Sequence, residues 1–148
     1  MTAVIDAWEA ALAAEHAAVA GYDVLGPRLD AIHMATARAD QQAHRDLRDA
    51  TSRALTAPGQ APVPAQPDYP LPFPVDTAAT AQRFALTLES RCAGAWRYLI
   101  AVAASTGQPP SPNLRADAQA ALTASAVRAT RWRRLVDPAK PTVPFPGI

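Results

Sequence analysis

Fifteen prolines, and where they stand, set what this chain can fold into. They fall into four groups: Pro27; Pro58 to Pro74; Pro109 to Pro112; and Pro138 to Pro146. Proline has no amide hydrogen and clashes with the preceding turn, so it stops helices. Between the groups lie four proline-free stretches, 1–26, 28–57, 75–108 and 113–137. They are rich in Leu, Arg, Gln and especially Ala, which supplies 36 of the 148 residues. Such stretches favour helix, and no alternating β-branched run competes with it. Four helices are therefore predicted. Thr2, Asp76 or Thr77, and Ser111 are candidate N-caps, and Pro112 suits a first turn. Gly26 and Gly107 stand where a C-terminal glycine would.

Each stretch carries a stripe at helical spacing. The stripes are Ile5, Trp8, Leu12, Glu15, Val19, Tyr22, Gly26; His33, Thr36, Asp40, His44, Leu47, Thr51, Leu55; Phe84, Leu88, Cys92, Ala95, Leu99, Val102; and Leu114, Ala118, Ala121, Ser125, Arg128, Trp132, Leu135. One such face on each of four helices asks for a four-helix bundle. The tight turns at Gly26-Pro27 and at GQPPSP make helices 1 and 2, and helices 3 and 4, antiparallel. The link PGQAPVPAQPDYPLPFPV has seven prolines in eighteen residues. Extended at ~3.1 Å per residue it reaches about 56 Å. A 26-residue helix is only about 39 Å long. The link can thus run the length of the bundle and make helices 2 and 3 parallel. Tyr69, Leu71, Phe73 and Val75 alternate along it and are its candidate packing contacts.

Composition excludes several classes. Fourteen Lys+Arg against thirteen Asp+Glu leave a net charge of +1, without the basic excess of a nucleic-acid binder. No apolar run approaches the ~20 residues of a membrane helix, and the N-terminus lacks the basic region of a secretory signal. One cysteine, Cys92, excludes an internal disulfide and a multi-cysteine zinc site. A single cytoplasmic domain spanning 1–148 is expected, without nucleic-acid or membrane partners. Its last eleven residues, 138–148, form a proline-rich tail lying on the bundle or on a partner chain.

Charges interrupt the apolar stripes. Glu15, Asp40, His44 and Arg128 lie on the seams, and Glu89 lies one position off its own, at the seam's edge. With the long link running the bundle's length, all fall near mid-height. Isolated buried charges are costly, so these should pair. A carboxylate-bridged di-metal centre needs a Glu from two helices and Glu-x-x-His from the other two. Glu15 and Glu89 answer the first requirement. Helix 2 offers Gln41-x-x-His44 and helix 4 offers Ser125-x-x-Arg128, so ligands are missing. Two readings follow. In the favoured one, Arg128 replaces the metals between Glu15 and Glu89, and no metal or other cofactor is bound. In the other, Glu15, His44 and Glu89 hold a metal for oxidoreductase chemistry.

The segments LAAEHAAVAGYDVLGPRL, AHRDLRDAT, YPLPFPVD, ESRCAGAWRYL and AVRATRWRRL resemble the ferritin-like domain of unknown function of high-GC actinobacteria. The resemblance implies a ferritin-like four-helix bundle with one long crossover, and no particular activity. Glu15, His44 and Glu89 match ligand positions of the wider ferritin-like pattern; Gln41, Ser125 and Arg128 depart from it.

Other residues have plainer readings. His16 and His33 are expected at the surface or bundle end, Cys92 as a small core residue, and Trp8, Trp96 and Trp132 in core or interface packing. The run Arg131 to Arg134 complements a helix C-terminus. Helix 1 carries four acids and 113–137 five arginines, so these two helices are expected to be neighbours. Alanine-rich faces suggest a homodimer. An enzyme is the less favoured class, and a small-ligand carrier using the bundle core is a third.

Overall fold

The computed structural model describes residues 2–107 and 109–148. Met1, and Gln108 within the GQPPSP turn, lie outside the described residues. Among those described there are four long helices and no strand. They are α1 (Thr2–Leu25), α2 (Ala31–Thr56), α3 (Ala78–Ala104) and α4 (Leu114–Val136). No helix among the described residues is long and apolar enough to cross a membrane.

The helix ends follow local chemistry. Thr77 caps α3 in a reciprocal box with Thr80. Asp30, which the sequence reading passed over, caps α2 by accepting the His33 amide hydrogen at 2.9 Å. Three expectations need correction. Thr2 lies inside α1, so it is not the cap. Asn113, not Ser111, precedes α4, and Pro112 lies outside that helix. Gly26 opens a short 3-10 turn, Gly26–Arg28, instead of closing α1.

Two apolar clusters mark the direction of every helix. The lower one joins Val4 of α1, Leu55 of α2, Leu99 of α3 and Leu114 of α4. The upper one joins Leu25, Ala37, Phe84 and Trp132. Hence α1 and α4 run upward while α2 and α3 run downward. The 57–77 segment crosses from bottom to top, making the bundle one with a single long crossover between α2 and α3. It lies along α1: the Val63 amide donates to Glu9 at 2.8 Å, and the Val63 carbonyl meets His16 Nε2 at 3.0 Å. His16 thus anchors the crossover. Val75 is buried, Tyr69 and Phe73 are half-buried, and Leu71 is exposed, contrary to its expected packing.

Around the bundle α1 packs against both α2 and α3, and α4 packs against α3. α1 and α4 lie across the bundle from each other, which overturns the expectation that they are neighbours. Gly21 permits the close approach of α1 to α3: a Cβ there would stand 2.5 Å from a Leu88 methyl. The tail folds back on α3, where Gly147 (φ +84°) lies so close that a Cβ would meet the Ala93 carbonyl oxygen at 2.7 Å.

Candidate functional site: a buried ion network

Between the two apolar clusters lies a layer of polar side chains. Glu15, His44, Glu89 and Ser125 are each 0% exposed, Asp40 is 3% and Arg128 is 8%. Glu15 sits on α1, Asp40 and His44 on α2, Glu89 on α3, Ser125 and Arg128 on α4. All four helices meet here because mid-height is where their seams face one another.

His44 is the hub. Its Nδ1 lies 2.6 Å from Glu15 Oε2 and its Nε2 lies 2.9 Å from Glu89 Oε1. Carboxylate oxygens accept and do not donate, so both ring nitrogens carry hydrogen and the ring is an imidazolium. Burial pulls its pKa down, but the hydrogen bonds and charges of Glu15 and Glu89 outweigh that and raise it to about 9. Burial likewise pushes the Glu89 carboxyl up, yet bonding to His44 and the charge of Arg128 leave it below its ordinary value.

Arg128 Nε donates to Glu89 Oε2 at 3.0 Å, and its Nη2 reaches Ser125 Oγ at 3.4 Å. Arg128 was expected to pair with Glu15 as well. It does not, because α1 and α4 are diagonal; Glu15 is served by His44 and by Trp96 Nε1 at 2.8 Å. Glu89 was expected at the seam's edge and is instead fully buried and bonded to both His44 and Arg128. It also accepts the Tyr22 hydroxyl at 2.6 Å.

A second shared carboxylate lies just above. Asp40 accepts from Arg131 Nη2 at 3.0 Å and from Trp132 Nε1 at 2.9 Å. Burial, and then the Glu89 charge, raise its pKa. Burial with the same two acids raises that of Tyr22 far above the usual phenol. Gln41 turns away from the network. Its amide donates to the Val19 carbonyl and to Asp23, both at 2.8 Å.

Sequence reasoning missed four members: Tyr22, Trp96, Arg131 and Trp132. Three follow from helical spacing. Tyr22 and Trp96 stand seven residues beyond Glu15 and Glu89, and Trp132 four beyond Arg128. Arg131 was assigned to a helix-end patch, and its pairing with Asp40 depends on a helix the sequence does not show beside it.

Three carboxylates, Glu15, Asp40 and Glu89, face three cations, His44, Arg128 and Arg131, so the layer is neutral. Every fully buried side-chain nitrogen and oxygen among the described residues has a partner. The residues do not fit a di-metal centre. Gln41 and Ser125 are not carboxylates, both His44 nitrogens are engaged, and a guanidinium ligates nothing and repels a cation. Glu15, His44 and Cys92 each offer an atom within 4.8 Å of the others. The Cys92 thiol, however, is held protonated by burial and by the charges of Glu15 and Glu89.

A family model described as a domain of unknown function, DUF4439, matches residues 7–148. The crystal structure of a conserved hypothetical protein from Mycobacterium tuberculosis is 35% identical, with 90% of this chain and 97% of that one covered. The two superpose with a TM-score of 0.82. No curated protein matches. A family match over nearly the whole chain, with a solved relative of the same architecture, places this four-helix chain in the DUF4439 family.

Proposed function

We propose that residues 1–148 form a single ferritin-like domain in which protein cations have taken the place of metal ions. On this reading Glu15, Gln41, His44, Glu89, Ser125 and Arg128 occupy the former ligand positions, with Asp40 beside them. The domain acts as a self-associating, non-enzymatic bundle. The observation that carries the reading is the His44 ring, clamped at 2.6 and 2.9 Å between two carboxylates that a di-metal site would need free. Arg128 completes the charge balance at Glu89.

Elemental analysis of protein purified without chelator, followed by iron and manganese titration, tests it. Less than one-tenth of a metal ion per chain is the expected order of magnitude, since the network already neutralises its carboxylates. About two iron ions per chain, the number a four-carboxylate site holds, would overturn it. Self-association is tested separately by light scattering: a mass near 15.6 kDa at micromolar concentration overturns the dimer. The dimer is supported by exposed apolar side chains on α3, α4 and the tail, among them Tyr98, Val127, Phe145 and Ile148.

The atoms of Glu15, His44 and Cys92 favour a second reading, a mononuclear metal site with Glu89 as a further ligand. It requires His44 and Cys92 to lose protons. Cobalt(II) added at pH 8 would then produce a thiolate charge-transfer band, absent in Cys92→Ser.

A further inference from the structure

On the α2–α4 side, the bundle carries a groove of about 550 Å³. Alanine methyls of α2 and α4 wall it, and Trp8 and Trp96 lie at its base. Methyl walls alone would mark only a gap between helices. Three polar groups make it more. Trp8, Thr51 and Arg128 all line the groove and are only 3%, 4% and 8% exposed.

Among the described residues, the Trp8 indole N–H and the Thr51 hydroxyl make no hydrogen bond. Arg128 uses Nε on Glu89 and Nη2 weakly on Ser125, leaving Nη1 without an acceptor. No fully buried side-chain nitrogen or oxygen among the described residues lacks a partner. The three groups therefore keep some access, and the groove is the surface they share.

Their positions define a shape. Trp8 stands seven residues below Glu15 on α1, and Thr51 seven residues below His44 on α2. Arg128 is level with Glu89. Seven residues of helix span about 10 Å, so the free donors form two groups about 10 Å apart. Donors ask for acceptors. The guanidinium fork matches a carboxylate. At the lower end Asp117 lines the groove and disfavours a second anion, while Trp8 and Thr51 suit an uncharged oxygen. Asp46, at the rim, is exposed and takes the Gln42 amide at 2.8 Å, so solvent screens it from the upper end.

We propose that the α2–α4 groove binds an elongated organic acid. Its carboxylate lies on Arg128, its apolar body between the alanine walls, and a hydroxyl or carbonyl oxygen on Trp8 and Thr51. This goes beyond the reading of the ion network and needs from it only the observed position of Arg128. Trp8 and Trp96 supply the signal. Titration of the whole protein with ω-hydroxydecanoate should give a saturable change in tryptophan fluorescence, confirmed by calorimetry. Decanoate, which lacks the second oxygen, should bind about tenfold more weakly, the order of one hydrogen bond. Thr51→Val should cost the same factor for ω-hydroxydecanoate and nothing for decanoate. Ala120→Phe, on the exposed wall, should abolish binding while leaving the fold intact by circular dichroism. No saturable signal up to millimolar ligand overturns the proposal. So does equal binding by decanediol, which lacks the carboxylate, or undiminished binding in Ala120→Phe.

Discussion

Two seams of this bundle are built from the same small residues and end up opposite in character. Along α1–α3 the backbones press together: Gly21 takes Leu88 against its Cα, and Cys92 Sγ reaches the Ala14 carbonyl at 3.5 Å. The crossover runs over this side, held to α1 through Val63, and encloses with it a pocket of about 420 Å³ lined by Gly21, Leu88 and Tyr69. Along α2–α4, among the described residues, only long side chains bridge, Arg131 and Trp132 to Asp40, and below them the groove opens. Small residues permit close approach but do not cause it. The closed seam is tied by buried bonds from α1 to α3, Tyr22 to Glu89 and Glu15 to Trp96. Among the described residues the open seam has no such tie below Asp40.

The strongest way to break this contrast is to cut the ion network that both seams share. Arg128→Ala leaves the fully buried Glu89 short of a cation, and should lower stability by about 3–5 kcal/mol in chemical denaturation. A stability equal to that of the parent would show that Arg128 does not neutralise the network.

Next in size is pH. The folded-state pKa of His44 is raised above its ordinary 6.5 to about 9. Its contribution is therefore complete below pH 6.5 and lost as pH rises through 9. Denaturation midpoints should fall over that window by an equivalent of roughly 3 kcal/mol. In His44→Gln the window should be flat. A parent curve as flat as the variant's would remove the imidazolium from the account.

The closed seam can be probed alone. Gly21→Ala drives a methyl to 2.5 Å from Leu88 Cδ1, an atom at the end of a flexible side chain. Overpacking should cost about 1–2 kcal/mol, partly offset by the gain of about 1 kcal/mol in helix propensity. A small net loss that disappears in the Leu88→Ala background, read by a double-mutant cycle, would identify the contact.

The smallest effect is expected on the open seam. Ala54→Leu adds apolar surface to the groove without a neighbour to displace, and should leave stability unchanged or raise it by up to about 1 kcal/mol. A loss comparable to that of Gly21→Ala would mean the two seams are packed alike.

The fold was legible because prolines and alanines act locally. Where helices stop depends on the prolines, and which faces turn inward depends on the stripes: Trp8, Leu12, Glu15, Tyr22, Phe84, Leu88, Cys92 and Leu99 are all buried. The charged positions of the inner layer were legible for the same reason. Their pairings were not. Whether Arg128 meets Glu15 or Glu89 depends on which helices are adjacent around the bundle, and short turns with one long link leave that order open. Leu135 shows the other limit, since it belongs to the α4 stripe but is 39% exposed.

The ion network is divided unevenly between the two helical hairpins that the crossover joins. The α1–α2 hairpin contributes Glu15, Asp40 and His44, two negative charges and one positive. The α3–α4 hairpin contributes Glu89, Arg128 and Arg131, one negative and two positive. Each half alone carries an unbalanced charge on the face it must bury, and the two imbalances are opposite in sign. Opposite imbalances attract, and added salt weakens that attraction. The crossover ties the two halves into one chain and so holds them at high effective concentration. The same arithmetic penalises mispairing: two copies of one hairpin, face to face, would bury like charges.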